Sequence, residues 1–151
     1  MILDERNEFA DATALSQIGT GLALVGDVID LGAAGELGAI TDLWLVVQVD
    51  TTVLAGGGAS SVAFVLASDA QAAIAADGSA TEHFRTAAIA KATLVAGYEV
   101  CQVQVPRTPA FERYVGILQD VSTNALTAGK INAFLTTDPT FIKAYADALT
   151  V

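Results

Sequence analysis

The chain has 151 residues, of which 53% are hydrophobic, and a formal net charge of −10. This length suits one domain with one core. The seven basic side chains are too few to bind the phosphates of a nucleic acid backbone independently of its sequence, so we expect no direct binding to nucleic acid. Polar residues such as Asp42 and Asp50 interrupt every apolar run before about 18 residues accumulate, so no membrane span is expected.

The start of the chain, "MILDERNEF", carries acidic residues where a secretion signal has a basic segment followed by an apolar one. We therefore expect the protein to stay in the cell that makes it. Cys101 is the single cysteine, so no intrachain disulfide can form. The fold must then be held by its core or by neighbouring subunits.

Alternating apolar and polar residues predict β-strands along most of the chain. In chain order the candidate strands are "LALVGDVIDL", "LWLVVQV", "SVAFVLAS", "EHFRTAAI", "EVCQVQV", "RYVGILQ" and "INAFLTT". The clearest is "EVCQVQV", in which Cys101, Val103 and Val105 face one way and Gln102 and Gln104 face the other. Glycine and proline at 55–60, 77–78, 106–109 and 127–129 predict the turns between strands.

Short strands spaced in this way predict an all-β fold, an antiparallel β-sandwich, Greek key or jelly roll with extended terminal arms. We divide the single domain into an N-terminal arm (1–17), a sandwich (18–137) and a C-terminal tail (138–151). In the tail, Phe141, Tyr145 and Leu149 recur at the spacing of one helical face. Two interpretations stay open, a short helix packed on its own subunit and an arm that reaches a neighbour.

Residue types that carry chemistry are sparse. His83 is the only histidine, and its spacing from Cys101 matches no catalytic or zinc-binding pattern. The glycines at 56–58 lack the Lys-Ser/Thr pair of a phosphate loop. The aspartates show no calcium-loop repeat, so a solvated acidic surface is the simpler interpretation. We therefore expect no catalytic residue, no metal and no cofactor.

The segment "VPRTPAFERY" combines a rigid proline-bounded loop with charged and aromatic side chains, a composition favoured at interfaces. The alternative is a loop that only joins two strands. Trp44, which lies in an apolar run, is expected in the core rather than at a contact surface.

The order of several motifs resembles a known family. After the start "MILDERNEFADATAL" come "VIDLGAAGELG", "LWLVVQVDTTVLAGGGASSVAFVLASD", "ERYVGI" and "TAGKINAFLTTD". Together these resemble the Bbp16-type capsid cement proteins of tailed phages over most of residues 1 to 138. The resemblance implies a non-enzymatic jelly roll, made in the host cytoplasm, that forms dimers or trimers on the outer surface of the phage head. It also implies that the protein clamps neighbouring subunits of the major capsid protein together.

The candidate contact residues follow from the enrichment of arginine and aromatic side chains in interfaces. They are Arg6 and Phe9 on the first arm, Arg107 and Arg113 near the proline loop, and Phe141 and Tyr145 on the tail. One alternative is a carbohydrate- or receptor-binding module of the virion surface with Trp44, Tyr98 and Tyr114 as stacking platforms. A small enzyme based on Cys101 and His83 is a third hypothesis.

Overall fold

A computed structural model describes residues 5–35, 37 and 42–139. A short 3₁₀ helix at Glu5–Asn7 precedes the strands. The described residues form β1 (Glu8–Ala14), β2 (Gly21–Asp30), β3 (Trp44–Ala55), β4 (Ser61–Asp69), β5 (Thr81–Arg85), β6 (Ile89–Ala90), β7 (Glu99–Gln104), β8 (Tyr114–Ser122) and β9 (Leu126–Thr136).

The strands form two antiparallel sheets. The first sheet has the order β1-β9-β3-β7, and the second has the order β2-β8-β4-β5 with the short β6 also paired to β4. Strands from the two halves of the chain pair in order from the chain ends toward its middle. The pairs are β1 with β9, β2 with β8, β3 with β7 and β4 with β5. A long antiparallel ribbon wound in this way is a jelly roll. The predicted β-sandwich fold is confirmed.

The main core lies between the two sheets. Leu45, Val47 and Val49 point inward from β3, as the alternation in "LWLVVQV" predicts. They belong to the same buried cluster as Phe64 of β4 and Ile117 of β8. Burial of these apolar side chains from both sheets is the main stabilising contribution, since the chain has no disulfide.

A second, smaller core covers the outer face of the second sheet. Ile74, from the segment between β4 and β5, packs there with Val65 and Leu118. The Asp69 carboxylate orders this segment by accepting hydrogen bonds from the backbone N–H groups of Gln71 (3.1 Å) and Ala75 (3.0 Å). This cover explains why "SVAFVLAS" is apolar on both faces rather than alternating.

The N-terminal segment differs from the predicted free arm. Residues 8–14 form β1, an edge strand of the first sheet, and Phe9 is fully buried in the main core. The alternation is obscured because β1 pairs with β9 through two register shifts. Asn132 holds the irregular part, since its Oδ1 accepts a hydrogen bond from the backbone N–H of Ala12 at 2.6 Å. Phe9 therefore presents no surface to a partner.

Two other local predictions require correction. The "TAG" at 127–129 lies inside β9 and not in a turn, with Gly129 at φ +140° beside Val53 of β3. The segment "EHFRTAAI" is divided between β5 and β6 at Thr86. The Thr86 N–H donates to the Phe64 carbonyl, but the Phe64 N–H donates to Thr86 Oγ1 rather than to a backbone carbonyl. Phe141 and Tyr145 lie outside the described residues.

Gly26 allows β1 and β2 to approach at the edge of the sandwich. The register of β2 with β8 shifts between Val25 and Ile29, and Gly26 within that shift has φ +70°. A Cβ at this position would overlap the carbonyl oxygen of Phe9. Only glycine meets both constraints without strain.

We predict that Gly26→Ala lowers the free energy of unfolding by on the order of 3 kcal/mol, because it adds left-handed backbone strain to a steric overlap. Urea unfolding measures the change. Gly56→Ala is the matched control, since a Cβ there meets nothing within 4 Å. Equal stability of the two variants would contradict this account of Gly26.

Candidate interaction surfaces

Several loops and strand ends gather at one end of the sandwich. The N–H of Leu31 donates to the carbonyl of Arg113 (2.9 Å), and the N–H of Gly35 donates to the carbonyl of Phe111 (2.6 Å). Glu8 of β1 lies opposite Phe134 of β9, so the start of β1 and the end of β9 are at this same end. We call residues 6–8, 27–35, 42–43, 105–114 and 137–139 the charged end. Its charged members are Arg6, Glu8, Asp27, Asp30, Asp42, Arg107, Glu112, Arg113 and Asp138.

Arg113 forms a local ion pair at the charged end. Its Nε and Nη2 donate to the two carboxylate oxygens of Asp30, each at 2.8 Å, and its guanidinium lies 4.9 Å from the ring centre of Tyr114. The Arg113 hydrogen bond, helped by the N–H of Gly32, lowers the pKa of Asp30 to about 2. Arg113 thus fixes the loop after β2 against β8.

The other two predicted arginines of the described chain, Arg6 and Arg107, also belong to the charged end. Arg6 and Asp30 contribute to the lining of a shallow groove of about 350 Å³ between β1 and β2. Arg107, on the proline loop, is 62% exposed and lies 3.5 Å from a carboxylate oxygen of Asp42. The structure therefore brings Arg6, Arg107 and Arg113 to one end, whereas Phe9 is in the core.

A serine–histidine pair lies beneath the proline loop. His83 Nε2 and Ser68 Oγ are 2.7 Å apart, and Ser68 Oγ accepts a hydrogen bond from the N–H of Glu112 at 3.0 Å. The imidazole stacks on Phe111 with ring centres 3.6 Å apart. Ser68 is 0% exposed. Its hydroxyl therefore joins β4, β5 and the proline loop, in a position that a substrate does not reach. No sequence spacing signals this cluster.

The two residues of the enzyme hypothesis lie in different sheets. His83 is on β5 of the second sheet, and burial lowers its pKa. Cys101 is on β7 of the first sheet, and burial raises the pKa of its thiol to about 11. The structure does not bring them together. Across residues 5–35, 37 and 42–139, no three His, Cys, Asp or Glu side chains gather closely enough to hold a metal ion.

The three candidate stacking residues do not form one platform. Trp44 begins β3 and Tyr114 begins β8, which belong to opposite sheets. Tyr98 lies at the other end of the sandwich, where its N–H donates to the carbonyl of Val95. Trp44 is half-buried outside the main core, which corrects the prediction that it is a core residue.

The opposite end of the sandwich differs in chemistry. We call residues 15–21, 54–60, 91–98 and 122–126 the uncharged end, because Lys91 is their one charged residue. Lys91 Nζ donates to the carbonyls of Ala55 (3.3 Å) and Gly57 (2.6 Å). Ile18, Leu54 and Val95 are exposed here, by 97%, 53% and 47%. No motif in the sequence marks this surface, and its one readable signal is that four turn segments carry a single charged residue, Lys91, between them.

The fold and its surfaces define an antiparallel jelly-roll protein with two chemically distinct ends. The model of the Bbp16 family matches residues 10–135, and the chain belongs to this phage-associated family. No curated protein is significantly similar to the chain. Within the residues that the structure describes, no helix is long and apolar enough to cross a membrane.

We predict that the free energy of unfolding decreases as the pH falls below about 6.5, the ordinary histidine pKa. The pKa of His83 is lower than this in the folded protein, so the unfolded chain takes up a proton first. The stabilisation is present above about 6.5 and is lost as the pH falls through the folded pKa. Urea unfolding between about pH 7.5 and pH 5.5 measures it.

The control is His83→Gln, which removes the only histidine and should flatten this dependence. An NMR titration of the single imidazole gives the folded pKa directly. A value at or above that of an unfolded histidine would contradict the predicted effect of burial.

Proposed function

We propose that this chain is a capsid cement (decoration) protein that binds the outer surface of a phage head and joins neighbouring major capsid protein subunits. The observation that carries the proposal is membership of a phage-associated family, combined with a jelly roll that gathers exposed arginines, the start of β1 and the end of β9 at one end. A cement protein needs a rigid body and a contact surface.

The charged end suits a role in which many copies dock in one orientation. Arg107 is mostly exposed and only loosely paired with Asp42 at 3.5 Å, so it can exchange this carboxylate for one on a partner. Arg113 is committed to Asp30 and instead keeps the surface rigid. Modest contacts repeated by the symmetry of a shell accumulate avidity without one strong site.

The net charge favours the outside of the head. Packaged DNA is a dense polyanion, and a chain with a net charge of −10 is repelled by it. An acidic protein associates best with a partner surface that is basic overall, in this proposal on the major capsid protein, with a carboxylate of that surface opposite Arg107. Binding to the shell should therefore weaken as salt is added. The protein would be made in the host cytoplasm and act on the virion.

We predict that purified protein binds phage heads from which it has been removed, and that Arg107→Glu weakens this binding by about tenfold or more, because it reverses an exposed interface charge. Co-sedimentation with heads at low and moderate salt measures the affinity.

The matched control is Lys130→Glu, which makes the same charge change at an exposed position of β9 away from the charged end. Failure of the wild-type protein to bind its own stripped heads would refute the proposed function. Equal loss in both variants would refute the role of the charged end.

A further inference from the structure

A single buried hydroxyl group holds the proline loop (residues 105–113) to the second sheet. Ser68 Oγ accepts a hydrogen bond from the N–H of Glu112, on this loop, at 3.0 Å. The same oxygen lies 2.7 Å from His83 Nε2. Within the described residues, these are the hydrogen bonds of this hydroxyl. Since Ser68 is completely buried, its hydroxyl depends on these two partners.

The geometry fixes the direction of the hydrogen bond between the serine and the histidine. A hydroxyl has one proton to donate, and the Ser68 proton has Nε2 of His83 as its acceptor. Nε2 must then be unprotonated, and the proton of the neutral ring lies on Nδ1, which is buried without a hydrogen-bond partner among the described residues. The Ser68 hydroxyl therefore both donates and accepts only while His83 is neutral.

Protonation of His83 reverses this hydrogen bond. A charged imidazole donates from both of its nitrogens. Nε2 of His83 and the N–H of Glu112 would then both donate to Ser68 Oγ, and the Ser68 proton would lose its acceptor. A buried donor without a partner is costly, so the cluster must rearrange when the ring takes up a proton.

The proline loop is the part of this cluster that is free to move. Ser68 and His83 lie on β4 and β5, which form one antiparallel ladder. The loop contacts this ladder through side chains. The imidazole stacks on Phe111, and Thr81 Oγ1 donates to Glu112 Oε1 at 2.7 Å. Side-chain contacts give way more readily than a strand ladder, so we expect the loop to move and the strands to stay.

The surrounding charges set the pH range of this change. Burial has the largest effect and lowers the pKa of His83, whereas the carbonyl of Pro109 and the carboxylate of Glu112 favour the charged ring. Both of these groups belong to the proline loop. The other charged groups of β4, β5, β8 and the loop have partners of their own, and they are Asp69, Glu82, Arg85, Asp120, Arg107 and Arg113.

We propose that the proline loop responds to pH, because uptake of one proton by His83 breaks its hydrogen bond with Ser68 and loosens the loop. The loop is fixed to the second sheet at neutral pH and is released in acid. Arg107 lies on this loop, so the same proton should also weaken binding to a phage head. That consequence rests on the proposed function, whereas the response of the loop does not.

NMR spectroscopy of the purified full chain tests the inference without any phage head. As the imidazole titrates, the Glu112 amide should lose about tenfold or more of its protection from hydrogen exchange, corrected for the intrinsic effect of pH. The amide of Phe64 is the matched control. It also donates to a hydroxyl, Thr86 Oγ1 at 3.0 Å, but that hydroxyl donates to the carbonyl of Ala87 and not to a histidine. Its protection should stay constant.

Two variants distinguish the histidine from other titrating groups. In His83→Gln a side-chain oxygen can still accept from Ser68 but does not titrate, so protection of the Glu112 amide should be high at every pH. In Ser68→Ala this amide loses its acceptor, so its protection should be low at every pH.

A Glu112 amide whose protection stays constant while His83 titrates in the wild-type protein overturns the inference. A pH response that persists in His83→Gln also overturns it, since a carboxylate would then be the titrating group. Failure to bind heads at every pH concerns the proposed function alone.

Discussion

The antiparallel ladder between β3 and β9 joins the two halves of the chain. It runs from Trp44 opposite Thr136 to Ala55 opposite Leu126 and occupies the middle of the first sheet. On its inner side, Leu45, Val49 and Ile131 enter the main core. Each of these strands then carries an outer strand, β7 beside β3 and β1 beside β9. The positions of all loops follow from this ladder, because the ribbon turns back at the end of each strand.

This winding also separates the chemistry of the two ends. The segments that follow β2 and β7 turn at the charged end, together with the ends of the outer strands. The segments that follow β1, β3, β6 and β8 turn at the uncharged end. The first group carries aspartates and arginines, whereas Lys91 is the one charged residue of the second group. Solubility alone does not explain why charged residues are nearly absent from one end of the sandwich.

Sequence reasoning recovered the strands that place an apolar residue at every second position toward the main core. "LWLVVQV" does so with Leu45, Val47 and Val49, and "EVCQVQV" does so with Cys101 and Val105. "RYVGILQ" does so with Val115 and Ile117, although its opposite face is also buried, with Leu118 in the second core. The sequence-based prediction was wrong where tertiary contacts override the local alternation of apolar and polar residues. Phe9 lies in a strand whose alternation is broken by bulges, and Gly129 resembles a turn glycine although it lies within β9 beside Val53. In both cases the deciding contact is with a strand distant in sequence.

The candidate surfaces also combine residues that the sequence predicts with residues that only the structure reveals. The proline loop and its arginines are visible in the sequence because residue type alone signals an exposed charged segment. Gln119 and Ser68 are not visible, because a polar residue in a predicted strand gives no sign that it will be buried and hydrogen-bonded to a loop distant in sequence. These two residues position the loops that carry Ile18 and Arg107. Local sequence patterns therefore predict which residues are exposed on a surface. The buried groups that position this surface are recognised only in the folded structure.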